Sequence, residues 1–197
     1  MEIQLAWSWD LISWTREPGR QQFIPRGAKD QWDRDMVLTS RAPVLVGDKL
    51  YFYYGGCVGA HDDKRVNAAI GLATLRLDGF CSMRAGDAEG WLISRRDPFR
   101  RPAVTINART GTDGYVLAEI LDRKNRVVPG FSKDDCIAFR GDSVSHELKW
   151  KSAEIPAAQK ANDYKIRFRL KNADLYSYLP ADLDPGQPDI ARFGAGK

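Results

Sequence analysis

Histidine and cysteine are scarce in this sequence, with two His and three Cys among 197 residues. Cys57, Cys81 and Cys136 stand singly. No pair has the spacing of a zinc ribbon or a C-x-x-C redox motif, so those chemistries are excluded. One disulfide is open to the three. Free cysteine is readily buried, however, and three single buried thiols are the simpler expectation. Long hydrophobic runs are missing as well. No apolar stretch approaches the about 20 residues that cross a bilayer, so no membrane partner is expected. The start, Met1-Glu2-Ile3-Gln4, has no basic segment followed by an apolar one, so no signal peptide is visible and localisation stays open. An excess of one charge is also absent: 30 basic and 26 acidic residues interleave along most of the chain, for a net charge of +4. That is a mixed surface and not a basic stripe, so no nucleic-acid partner is expected. Helical periodicity is nearly lacking. Its one candidate, Ile155 to Lys160, is very short.

Strand signals fill the rest. Apolar content of 43%, with six Trp, seven Tyr and eight Phe, is ample for a packed core. Ala42 to Val46 and Lys49 to Tyr54 flank Gly47-Asp48, a two-residue hairpin signal, and Gly55 to Lys64, with its turn residues and charge, reads as a connector between two units. Ile70 to Leu77 alternates and ends in the turn Asp78-Gly79. Gly90 to Ser94, Ala103 to Ala108, Tyr115 to Asp122 and Glu147 to Trp150 follow. In Tyr164 to Leu170, the residues Ile166, Phe168 and Leu170 face one way while Lys165, Arg167 and Arg169 face the other, as in a half-buried strand. Short-turn strands without intervening helices predict an all-β chain built around an antiparallel β-sandwich. Its expected core is Leu72, Leu75, Val104, Ile106, Val116, Ile120, Leu148, Trp150, Ile166, Phe168 and Leu170.

These pieces, in order, resemble a known arrangement. Trp32-Asp33, Met36-Val37, Leu50 to Gly56 and His61-Asp62 resemble the end of a five-bladed propeller of glycoside hydrolase families 32 and 43. Leu5 to Ser8, Trp9-Asp10 and Trp14 to Arg16 are similar to the S-x-D-G-x-x-W-x-R hairpin of those propellers, with Leu11 where Gly is usual. Ile70 to Phe80 resembles the entry strand of the β-sandwich that follows such propellers in many bacterial hydrolase-like proteins. The likeness continues through Pro129-Gly130-Phe131-Ser132 and Gly141-Asp142-Ser143 to Arg167 through Tyr178, covering roughly residues 4 to 179. It implies a propeller-blade-like stub with connector over 1–63, a jelly-roll-like sandwich over 64–180 and a flexible tail over 181–197. About one blade is present, and the blades that carry the catalytic carboxylates in those families have no counterpart. Hydrolysis needs two carboxyl groups facing each other across the bond, roughly 5–10 Å apart. The resemblance therefore implies an ancestry in carbohydrate processing and does not imply present catalysis.

Several residues could still carry chemistry. Asp33 and Asp35 flank Arg34; in a strand they would share a face, as a carboxylate pair or as surface charges paired with the arginine. His61-Asp62-Asp63 could supply metal ligands, although a solvated loop is the simpler reading. Asp134, Asp135 and Asp142 bracket a turn-rich segment of the sort that holds a structural Ca²⁺ through oxygen ligands, but without EF-hand spacing. Gly141-Asp142-Ser143 with His146 lacks the G-x-S-x-G elbow of a nucleophilic serine. Sugar-binding modules present aromatic faces, and Trp91, Tyr115 and Tyr176 are the candidates; Trp91 follows Gly90 at a strand start and is open to exposure, although a packed ring is the simpler reading. Trp150, between lysines, is expected in the core. Trp7, Trp9 and Trp14 crowd the first hairpin as an apolar patch.

The functional expectation is a non-catalytic, carbohydrate-associated accessory module. A small glycoside hydrolase and a structural or interaction module are the alternatives. A blade without neighbours has open edges and one bare apolar face, which predicts a monomer with the stub folded onto the sandwich, or a homodimer.

Overall fold

The computed structural model describes residues 1–63, 66–96, 103–151 and 164–180. The chain divides into two compact units, Met1–Leu77 and Asp78–Lys197. It is all-β, and no helix occurs among the described residues. The stretch at 155–160 and the tail at 181–197 lie outside them.

The first unit is centred on β7 (Lys49–Val58). One edge of β7 carries β6 (Val44–Val46) and then β5 (Met36–Thr39); the other pairs along its whole length with β8 (Asn67–Arg76). The β6–β7 hairpin turns at Gly47-Asp48, as expected, with Gly47 at φ 60°. Two small ribbons precede it. One joins β1 (Ile3–Gln4) to β4 (Gln22–Ile24), the other β2 (Ala6–Trp7) to β3 (Thr15–Arg16). Period-two alternation sends Leu50, Phe52 and Tyr54 of β7 to one side. There they meet Ile24, Val37 and Leu75 in a small core, in which Phe23 stands edge-on to Phe52 at 5.4 Å.

Two expectations change here. Ile70 to Leu77 is not the entry strand of the sandwich, because β8 hydrogen-bonds to β7 and closes the first unit. Leu75 accordingly packs in the first core, and Leu72 is 47% exposed rather than buried. Gly55-Gly56-Cys57-Val58 is likewise strand and not connector. Gly56 has a reason other than a turn: a Cβ there would collide with the Trp32 ring and the Asp33 side chain, which cross directly over it.

The first hairpin is closed by Asp10. Its carboxylate accepts from the Ser13 and Ile12 amides at 2.7 and 2.9 Å and from Ser8 Oγ at 2.9 Å. Leu11 takes the left-handed φ of 60° that a glycine would adopt without cost.

In the second unit, β10 (Gly90–Ile93), β13 (Lys165–Pro180), β11 (Val104–Leu121) and β12 (Asp142–Leu148) lie side by side. A short strand, β9 (Met83–Ala85), pairs with the second half of β13. The expected strands Ala103 to Ala108 and Tyr115 to Asp122 are one strand, β11, interrupted by a bulge. The register between β11 and β13 shifts between Thr110 and Tyr115, opposite Asn172 at φ 41°. The sheet bends there and covers its own inner side in a sandwich-like core of Val104, Ile106, Val116, Ile120, Ile166 and Phe168, all fully buried. Trp150 is in this core as expected, its indole N–H donating to the Ala118 carbonyl at 3.0 Å. All three cysteines are free; Cys57 and Cys136 are buried, but Cys81 is exposed, contrary to the expectation of three buried thiols.

Candidate functional site

The outward side of the second sheet follows from the same alternation. Leu92, Phe168 and Ala118 point into the core, so their strand neighbours point out. Trp91 lies opposite Arg169, which lies opposite Leu117; Ile93, Arg167 and Glu119 form the next row. Trp91 is 64% exposed at the edge of this side.

Beside it runs a chain of charge. Glu119 accepts from Arg167 Nε at 2.6 Å and Arg169 Nε at 3.0 Å. Arg169 Nη1 donates onward to Glu89 at 2.8 Å, and the Tyr115 hydroxyl donates to the other Glu89 oxygen at 2.6 Å. Arg140 sits over the Tyr115 ring, 5.6 Å from its centre. Burial works to raise the Glu119 carboxyl, but the two arginines outweigh it and hold it below the ordinary carboxylate range. The Tyr115 and Arg169 bonds do the same for Glu89. The bond to Glu89, with burial, raises the Tyr115 hydroxyl. Trp91 and Tyr115 are thus brought to one side of one sheet. Tyr176 is not beside them: it is half-buried on β13 beyond Asn172, toward the end where Arg84 lies.

Asp33 and Asp35 do not lie in a strand; they precede β5 and part company. Asp33 is buried and accepts from the Tyr54 hydroxyl at 2.9 Å, beneath the stacked Trp32 and Tyr54 rings. Asp35 accepts from the Gly59 amide at 2.8 Å and from Arg34 Nε at 3.4 Å. It borders an open cleft of about 870 Å³ that His61, Asp63 and Asn67 also line. The arrangement holds a turn together and does not oppose two carboxyl groups.

The oxygen ligands considered for calcium are dispersed. Asp135 accepts from Ser132 Oγ at 2.6 Å, Asp134 gives its carbonyl to Lys151, and Asp142 opens β12 opposite Arg109. Asp63 accepts from the Ala60 amide, and His146 packs against the Phe139 ring. Among the described residues, no three His, Cys, Asp or Glu side chains are grouped to hold a metal ion.

A third constellation has no counterpart in the sequence reading. Asp174 is 7% exposed and accepts from Arg84, Arg109 and Ser82. Its signal was weak: a single Asp in a strand otherwise read by its apolar residues. No known protein family, curated protein or solved structure matches the chain.

Proposed function

We propose that this chain is a carbohydrate-associated accessory module that binds a saccharide on the outward side of its second unit and does not hydrolyse it. In this reading the second unit is a jelly-roll-like sandwich related to those of glycoside hydrolase families 32 and 43, and the first is a blade-like stub. The observation that carries it is the exposed Trp91 beside the Arg169–Glu89–Tyr115 chain. The C–H face of a pyranose packs on an indole, and fixed guanidinium, carboxylate and phenol groups orient its hydroxyls.

The same geometry argues against catalysis. A glycosidase needs one carboxyl group kept protonated as an acid. Glu89 and Glu119, the carboxylates of the charged chain beside Trp91, are instead both held below the ordinary carboxylate range, Glu89 by Tyr115 and Arg169 and Glu119 by Arg167 and Arg169 against its burial. A glycan array with a parallel reducing-sugar assay tests this reading. Retention on a glycan, lost in Trp91→Ala and without sugar release, is expected. Sugar release that disappears on changing a single carboxylate overturns it in favour of a small hydrolase.

One observation favours a second reading, an interaction module. The side of β7 away from the first core presents Tyr53, flanked by Leu72 on β8, with Ile70 81% exposed nearby. Silence on the glycan array together with a concentration-dependent dimer would support it.

A further inference from the structure

We infer that the open edge of β8 pairs with itself: two copies of this chain join β8 to β8 as antiparallel strands about a twofold axis at Gly71, and their first sheets become one. The dimer neither requires nor excludes a saccharide on the second unit.

The edge is long and unguarded. β8 covers Asn67–Arg76, ten residues or roughly 33 Å. One side of it pairs with β7 in unbroken register, from Arg76 opposite Lys49 to Asn67 opposite Val58. No described residue pairs with the other side. Edge strands are ordinarily blunted by proline, by charge or by a bulge. From Asn67 to Leu75 there is no proline and no charged residue, and the pairing with β7 has no bulge.

The bonds already made fix which backbone groups face outward. One step beyond the Arg76–Lys49 pair, the Leu77 amide donates to the Asp48 carbonyl at 2.8 Å. Bonded and unbonded pairs alternate along an antiparallel ladder. Leu75, Ala73, Gly71 and Ala69 therefore turn their N–H and C=O toward β7, and Thr74, Leu72, Ile70 and Ala68 turn theirs to the open side. Tyr53, opposite Leu72, agrees with this: its carbonyl faces away from β8 and accepts from the Ser40 amide at 3.0 Å.

These outward positions match one another. A second β8 laid antiparallel, Gly71 to Gly71, brings Ile70 opposite Leu72 of the second copy and Ala68 opposite its Thr74. Every one of those residues bonds outward, so the strands exchange about eight backbone hydrogen bonds. Asn67 then meets Leu75 and Ala69 meets Ala73, and no charges are opposed. Moving the axis to Leu72 keeps the bonding but sets Ala68 against Arg76 and Ile70 against Thr74.

The side chains favour the same register. Ala73 and Leu75 pack into the first core, so Ile70, Leu72 and Thr74 lie on the other side of the sheet. Ile70 is 81% exposed because its neighbour on β7 is Gly55, which has no side chain to cover it. Leu72 is half exposed beside Tyr53. In the dimer, Ile70 and Leu72 of both copies form one apolar cluster across the axis, flanked by the two Tyr53 rings. On the core side the Tyr54 ring lies directly over Gly71, and the small Ala69 and Ala73 flank the axis. One patch that fits itself is what a twofold interface requires.

Sedimentation velocity of the full chain, without glycan, tests the dimer. A strand pair lies at the small end of specific interfaces, so the mean mass should rise from monomer toward dimer between about 1 and 200 μM. Two doubly substituted chains test the register. Ala68 and Thr74 are both exposed and lie well apart on β8, so they meet only across the axis. Ala68→Glu with Thr74→Glu opposes like charges there, and should weaken association at least about tenfold. Ala68→Lys with Thr74→Glu opposes unlike charges, and should restore it. Circular dichroism checks that both fold. If either does not, Thr74→Pro takes its place: the Thr74 N–H faces outward, so proline spares the β7 ladder and removes a bond that only the dimer makes. A full chain that stays monomeric throughout overturns the dimer. Equal association of the two folded double variants, or undiminished association of Thr74→Pro, overturns the β8 pairing in favour of contact through the apolar side of the sheet. Neither failure touches retention on a glycan, so the saccharide reading is judged separately.

Discussion

The rings of Phe168 and Tyr178, on β13 to the two sides of Asn172 where β11 bulges, pack with their centres 5.3 Å apart. A straight strand cannot bring them together, so the contact records the bend by which the sheet covers its own core. Phe168→Ala should remove this contact and leave a cavity, costing about 3–5 kcal/mol. Urea unfolding of the second unit measures it. A loss within about 0.5 kcal/mol would mean that the bend is held by backbone pairing alone.

Glu119 joins two arginines on the outward side and is nearly buried, while Arg167 and Arg169 are partly exposed. Glu119→Ala should cost about 1–3 kcal/mol, less than a fully buried pair because solvent screens the arginines. The carboxyl groups of Glu119 and Asp174 titrate below their ordinary values of 4.5 and 3.8 in the folded chain. Their contribution is therefore fully present above those values and is lost as pH falls through the lower folded ones. Denaturant midpoints should drop on acidification below about pH 5, and less steeply in Glu119→Gln.

Leu11 holds a conformation that costs an ordinary residue about 1–2 kcal/mol. Its side chain is half exposed, so little burial is lost with it. Leu11→Gly should stabilise the first unit by up to about 1 kcal/mol, after the entropy that glycine gives up on folding. The Ser13 and Ile12 amides, with Ser8 Oγ, hold the Asp10 carboxyl down at about 2. Asp10→Ala should open this hairpin, read as lost dispersion of the Ile12 and Ser13 amide resonances.

Thiol reactivity should separate the cysteines. Burial pushes the Cys136 thiol up to about 11, and Cys57 is buried, whereas Cys81 is exposed. An aromatic disulfide reagent at neutral pH should label Cys81 alone in the native chain and all three in urea. Native labelling of Cys136 would contradict the packing around Ala118.

The bare side of β7 and β8 should make the full chain associate as concentration rises. Ile70→Lys, at a position 81% exposed, should change stability by no more than about 0.5 kcal/mol and lower the light scattering of concentrated samples. Unchanged scattering would show that this side is not the adhesive one.

The strands, the Gly47-Asp48 turn and the sandwich core could be read from the sequence because each depends on neighbours in the chain. Alternation at Val116, Ala118 and Ile120, or at Ile166, Phe168 and Leu170, sorts side chains to two sides wherever the strand ends up. The same logic placed Trp150 inside, but it left a packed ring as the simpler reading for Trp91, which is exposed. It could not assign β8: alternation shows that a strand has an apolar side, not which sheet it joins. Gly56 was misread for a related reason. Glycine signals both a turn and a close crossing, and only the positions of Trp32 and Asp33 distinguish them.

By itself the sequence determined that this chain is all-β, where most of its strands run and which side of the second sheet is wet, since periods of two and turn chemistry are local properties. Tertiary structure alone decided that Asp33 and Asp35 part company, that Trp91 and Tyr115 share a side, and that Arg84, Asp174 and Arg109 form one row. Those relations depend on register, and register is set by backbone hydrogen bonds between segments far apart in the chain.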